Sequence, residues 1–245
     1  KRLHPGWAAH AALYAACLGK NNFVGPSDAY GDRYGLFPLY LQEDDPDLSK
    51  IIEDLGIRWE FSEVAIKPYP VCHYNHAPMD AAIRCASDNN IVPSEIVKIT
   101  VYLHSQQFDV VCLPAEKKKK PTSEYDAKFS LQYCVATAIL KRGFGLNELS
   151  DDAIANPETL DLASKIDFEH WADSHFPRYF SGAVEIRTEA RGQFRTEELI
   201  NQGAAGKPLS SGAIKEKFLR NILTTSTEDH GEALWDSVIR LISSK

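Results

Sequence analysis

The sequence predicts an α+β protein: a mostly helical domain built from both ends of the chain, with a smaller α+β domain inserted between them. Two observations carry this. At the ends, apolar residues recur at helical spacing: Trp7, Ala11, Tyr14 and Leu18 near the start, then Ile214, Phe218 and Ile222, and Leu234, Val238 and Leu241 near the finish. Between them, residues 96–103 (IVKITVYL) and 183–190 (AVEIRTEA) are β-branched or alternating, as strands are. The expected division is 1–66 in the helical domain, 67–197 as the smaller α+β domain, and 198–245 as returning helices.

Taken in order, Pro5 and Gly6 start an Ala-rich helix that Asn21 and Asn22 end. Residues 23–41 form a Gly- and aromatic-rich connector with a short helical end. Residues 47–55 read as a short helix closed by Gly56, and 57–66 as an extended lead-in. A helix is expected over about 77–87 with Asn75 as its cap and Pro78 in its first turn. A longer one follows over 127–141, with Phe129, Tyr133, Ala136 and Leu140 on one stripe and Gly143 as its stop. Short helices at 151–156 and 157–164 lead to an edge strand at 165–170. The strand at 183–190 turns at Arg191–Gly192 into a partner near 193–196, a hairpin.

The chain has 245 residues, a net charge of −7, 44% hydrophobic and 25% charged residues, the profile of a globular protein with a sizeable core. The acidic balance argues against a nucleic-acid partner, and the basic run at 117–120 reads as a solvated loop tip. No apolar run reaches the roughly 18 residues of a membrane span, so no membrane partner is expected. The five cysteines form no CxxC pair and suggest neither a metal site nor a disulfide ladder, which points to a reducing, cytoplasmic compartment. The aromatic connector and the alanine-rich first helix carry apolar surface that calls for a partner, so a homodimer or larger assembly is expected.

Residues 67–82, KPYPVCHYNHAPMDAA, concentrate the reactive side chains. Pro68 and Pro70 forbid helix there, so Lys67, Tyr69 and Cys72 sit on a stiff extended segment. That segment ends at a helix N-terminus, whose free amides and positive dipole end, with Lys67, would hold a carboxylate or phosphate. An ordinary domain-crossing loop is the competing reading. His73 and His76 divide between lining a pocket and packing. Cys72 is either a thiolate nucleophile or a bystander, and Tyr133 either a core residue or a site residue.

Four motifs carry a resemblance: KRLHPGWAAHAAL at 1–13, GDRYGLF at 31–37, KPYPVCHYNHAPMDAA at 67–82 and AKFSLQYCVATAIL at 127–140. In that order they resemble the MmgE/PrpD family, over essentially the whole chain. The resemblance implies a helical domain from both chain ends around a smaller α+β domain. It also implies dimers, and a longer N-terminal part that carries a catalytic aspartate and further histidines, so this chain would be the C-terminal portion. The implied chemistry removes or adds a proton next to a carboxylate of a small di- or tricarboxylic acid, with no metal or organic cofactor. The outcome closest to the resemblance is that of a 2-methylcitrate dehydratase, a hydro-lyase. Decarboxylation or epimerisation of a related acid, of the cis-aconitate or iminodisuccinate type, is the alternative, as is a non-catalytic fragment. By the same resemblance Lys67, Tyr133 and His4 would be catalytic and Lys1 would bind substrate; His73 and Cys72, from their place on the segment, are further candidates for binding substrate. Lys67 and Tyr133 would then face one cleft.

Overall fold

A computed structural model describes residues 3–41 and 47–243. The chain divides into two compact units, 1–59 and 60–245. In the first, α1 (Leu3–Lys20) is the expected alanine-rich helix, with Lys20 in its last turn facing the negative dipole end. Asn22 takes a left-handed conformation at φ 60° just after it. No α1 residue is buried, and Leu3, Trp7, Leu13 and Tyr14 are all exposed. The connector ends, as expected, in a short helix, α2 (Leu36–Leu41). The helix expected over 47–55 is one 3-10 turn, Leu48–Ile51, capped by Asp47, whose carboxylate accepts from the Ser49 amide at 3.1 Å.

The second unit holds the α+β fold. The expected extended lead-in at 57–66 is interrupted by a 3-10 turn, Glu60–Glu63. Ile66 then donates its amide to the Gly203 carbonyl at 2.8 Å. Gly203 has φ +87°, and a Cβ there would stand 1.9 Å from the Ile66 carbonyl oxygen, so only glycine allows this stitch. A 3-10 turn, His73–Asn75, feeds directly into α3 (His76–Asp88). Asn75 therefore does not cap α3 with its side chain. It is buried, and its Nδ2 donates to the Lys128 carbonyl and the Cys134 sulfur, both at 3.4 Å.

Most of α3 is buried, and its alanines allow close packing on β3, β4 and α7. A Cβ on Gly182, at the start of β3, would lie 2.4 Å from Pro78. β1 (Ile96–Leu103) follows, then the short α4 (Phe108–Val111), α5 (Ala115–Lys119) and α6 (Glu124–Lys128). The single helix expected over 127–141 is broken: Ser130 is extended and caps α7 (Leu131–Lys141), its hydroxyl accepting from the Tyr133 amide at 3.0 Å. A competing side-chain cap thus wins over helical continuity. α7 ends at Arg142, φ 54°, one residue before the expected glycine stop.

After α8 (Asp151–Ile154) and α9 (Pro157–Ser164), β2 (Ile166–His170) pairs parallel with β1 at one edge. β3 (Gly182–Thr188) and β4 (Gly192–Glu198) form the expected hairpin, giving the order β2-β1-β3-β4 with the other pairs antiparallel. The inward face carries Ile99, Val101, Leu103, Ile166, Val184 and Ile186, all buried; with α3, α7 and α9 they make the core. The outward face is polar, with Lys98 paired to Asp167 at 3.2 Å and Arg195 over the Tyr102 ring. The tail is α10 (Ser211–Ile222), capped by Ser210, and α11 (Glu228–Ser243), which pack together with the Phe218 and Trp235 rings 5.5 Å apart. Among the described residues no helix is long and apolar enough to cross a membrane.

Candidate active site

The stiff segment before α3 behaves as its prolines dictate. It runs from the Ile66–Gly203 stitch to Cys72, whose amide donates to the Lys128 carbonyl at 2.8 Å. Lys67 is exposed, and its ammonium donates to the Val71 carbonyl at 3.1 Å, across the bend of its own segment. The helix N-terminus that was expected to share its anion with Lys67 is closed by packing: His76, Ala77 and Pro78 are buried, with Pro78 against Gly182. Lys67 instead lines a pocket of about 230 Å³ whose walls include Tyr69, Leu146 and residues of α10.

Tyr69 donates its hydroxyl hydrogen to Asp80 Oδ1 at 2.6 Å. Asp80 sits one turn into α3 and is almost fully buried, which pushes its carboxyl up to about 6 even though the Tyr69 hydrogen bond works the other way. The Tyr69 phenol is held far above its ordinary value, by burial first and then by the Asp80 charge. The Tyr69 ring also packs on His76, centroids 5.3 Å apart, and His76 on His73 at 4.7 Å. His76 is fully buried, and burial, then the charges of His73 and Lys67, hold its imidazole well below the usual range.

His73 lines a second pocket, of about 250 Å³, with Asn201, Arg178 and Phe180. Asn201 Oδ1 accepts from the Phe180 amide at 3.2 Å, which turns its Nδ2 toward His73 Nε2 at 2.9 Å. The amide nitrogen donates, so Nε2 is the acceptor and the neutral ring keeps its proton on Nδ1. Burial, then the Lys67 charge, pushes His73 down to about 4, so it is neutral at pH 7. Cys72 is half-buried beside these groups as a free thiol.

Tyr133 is placed by α7 rather than by the segment that carries Lys67. It is on the inward stripe of α7, fully buried, and its hydroxyl donates to the Glu148 carbonyl at 2.6 Å. Burial pushes its phenol up to about 12. The packing reading of this residue is the one the geometry follows, and the hydroxyl anchors the loop that holds Gly145 and Leu146 in the Lys67 pocket. His4 lies on the exposed α1 of the first unit. Lys1 falls outside the described residues. Among the described residues no group of three His, Cys, Asp or Glu side chains is placed to hold a metal ion.

The structure therefore gathers Lys67, Tyr69, Asp80, His76, His73 and Asn201 around one short segment. Asp80 and Asn201 were missed in the sequence. Asp80 is an acid on the buried side of an otherwise apolar helix, which is a usable signal; Asn201 comes from a loop 128 residues from His73, and no local pattern marks it. Residues 69–241 match the MmgE/PrpD C-terminal domain. This chain belongs to the MmgE/PrpD family. Among its relatives are two cis-aconitate decarboxylases. The one from Homo sapiens is 25% identical over 241 residues, covering 96% of this chain and 48% of the relative. The one from Aspergillus terreus is 23% identical over 262 residues, covering 98% of this chain and 51% of the relative. The chain thus spans about half the length of the curated relatives it matches. For this MmgE/PrpD chain, the expected family and the α+β fold class both hold.

Proposed function

We propose that this chain supplies the lysine- and histidine-bearing wall of a lyase that acts on a small di- or tricarboxylate by proton transfer at a carbon next to a carboxylate. The supporting observation is the placement of Lys67: an ammonium on a proline-stiffened segment at the mouth of a pocket, beside a histidine kept neutral by burial and by that same charge. A fixed cation holds a carboxylate and stabilises the enolate charge that develops when the neighbouring carbon loses its proton. In its tautomer His73 has an N–H to give rather than a free lone pair, which suits an oxygen of the substrate. The base and further histidines belong, by the family resemblance, to a preceding part of the protein. The reading needs no metal or organic cofactor.

The names of the two relatives favour loss of carbon dioxide as the outcome. Loss of water, as in a 2-methylcitrate dehydratase, the outcome expected from the sequence, is the second reading. A homodimer in a reducing, cytoplasmic compartment completes the proposal. It is supported by the exposed apolar residues of α1 and by Cys85, Cys112 and Cys134, which are buried as free thiols. The test is NMR of the full-length protein with cis-aconitate, 2-methylcitrate, citrate and iminodisuccinate. A decarboxylated product is expected; a dehydrated one selects the second reading. Intact substrates throughout would leave a non-catalytic chain and overturn the proposal.

A further inference from the structure

α10 presents two different strips. Phe218, Leu219 and Ile222 serve the packing with α11, where a Cβ on Gly231 would meet Leu219 at 3.0 Å and Ile222 at 3.3 Å. Lys217, Arg220 and Asn221, at helical spacing on another strip, line the Lys67 pocket. Three cations, Lys67, Lys217 and Arg220, thus border a space of about 230 Å³ whose walls include no Asp or Glu. This occurs in a chain of net charge −7.

Several cations of the second unit are matched. Arg84 and Lys207 both pair with the buried Glu198, Lys128 pairs with Glu124, and Lys215, on α10 itself, pairs with Glu232 at 2.6 Å. Among the described residues neither Lys217 nor Arg220 forms an ion pair, although the Glu148 carboxylate stands near Arg220 against Gly145. Their charges are nevertheless felt inside the site: Lys217 acts on His76 and Arg220 on the Tyr69 phenol. The like charges of Lys217 and Arg220, one helical turn apart at one pocket, repel, and a negatively charged ligand removes that repulsion.

We propose that Lys217 and Arg220 form a second anion subsite opposite Lys67, which takes another carboxylate of the same small di- or tricarboxylate. Arg220 offers a planar fork suited to a bidentate carboxylate, and Lys217 a point charge beside it. The subsite rests on the function proposed above and makes it more specific: a monocarboxylate meets only one of the two anion positions. The remaining walls, Tyr69 and Leu146, give the carbon skeleton an apolar surface.

The experiment is calorimetric titration with propane-1,2,3-tricarboxylate, succinate, butyrate and inorganic phosphate, on the full-length protein and its Lys67→Gln, Lys217→Gln and Arg220→Gln variants. The expected order is tricarboxylate, then succinate, then butyrate. Lys217→Gln and Arg220→Gln should each weaken tricarboxylate binding by about tenfold or more while leaving butyrate binding unchanged. Lys67→Gln should weaken both. Melting temperatures should stay at the wild-type value, because neither α10 side chain carries a structural ion pair. Wild-type tricarboxylate affinity in both α10 variants overturns the subsite and leaves the Lys67 reading standing. Phosphate bound more tightly than the carboxylates overturns the assignment of the ligand. Selective loss of tricarboxylate binding in a protein that turns over no acid in the substrate panel would keep the subsite and remove the lyase reading.

Discussion

The Tyr69 hydroxyl and the Asp80 carboxylate form a 2.6 Å hydrogen bond that ties the wall of the Lys67 pocket to the buried core of α3. Asp80 is the group in this pair whose charge is costly. Burial lifts its carboxyl to about 6, above the roughly 3.9 of an unfolded chain. The native state therefore holds a proton that the unfolded chain has already released between about pH 4 and pH 6. The stability contributed by this group is fully present below about pH 4 and is lost as pH rises through about 6. Glu198 nearby adds to the lift, while the Gln202 amide and Lys207 oppose it. Relative to Asp80→Asn, the wild type should lose about 2 kcal/mol of unfolding free energy between pH 4 and 7.5. Urea titrations at both pH values check this, and a pH-independent difference would contradict it.

His73 shows the opposite sign. Its folded value, about 4, lies below the ordinary 6.5, so its contribution is present above about pH 6.5 and lost as pH falls through about 4. Imidazole NMR should give a midpoint near 4, with nitrogen shifts of the Nδ1–H tautomer. Lys67→Gln should move that midpoint upward, because the Lys67 charge is the second cause of the depression. A midpoint near 6.5 in the wild type would show the ring to be solvated.

Lys67→Ala in the full-length protein should lower kcat/KM at least about tenfold, the loss of one charge-assisted hydrogen bond to a carboxylate. The melting temperature should hardly change, since the side chain is exposed. Wild-type kinetics would mean that the pocket is not the site.

Tyr133→Phe keeps the ring but leaves the Glu148 carbonyl without its donor. We expect a loss of about 1 kcal/mol in unfolding free energy, the worth of one hydrogen bond. If the loop it anchors shapes the pocket, KM should rise with it. Unchanged stability would mean that the loop is held by other contacts.

Gly203→Ala should cost more than either. The substitution strains a backbone at φ +87° and drives a methyl into the Ile66 carbonyl. A loss of several degrees in melting temperature is expected, and an unchanged one would show that the stitch is dispensable.

The elements with a strong period were legible. IVKITVYL is β1 to the residue, and the hairpin appears where Arg191–Gly192 marks its turn. Where a side chain competes with the backbone, local reading failed: Ser130 breaks a helix that apolar spacing alone continues, and Asn75 abandons its cap for Lys128 and Cys134. The site was legible only along the chain. Pro68 and Pro70 announce the stiff segment that carries Lys67, but Asp80, Asn201, Lys217 and Arg220 reach it through folding over distances that no spacing rule spans. Tyr133 misled because a stripe of α7 that packs and a stripe that faces a cleft have the same period.

The parallel pairing of β1 with β2 bears on how the chain is made. β1 is complete at Leu103, yet its partner on one edge begins at Ile166 and its partner on the other at Gly182. During synthesis this β-branched strand therefore emerges with both edges bare and waits for most of the second unit to follow. Unpaired edges of this kind are templates for association between nascent chains. A ribosome stalled before residue 166 would hold an aggregation-prone product, and the Lys98 side chain within the strand is its one intrinsic guard against it.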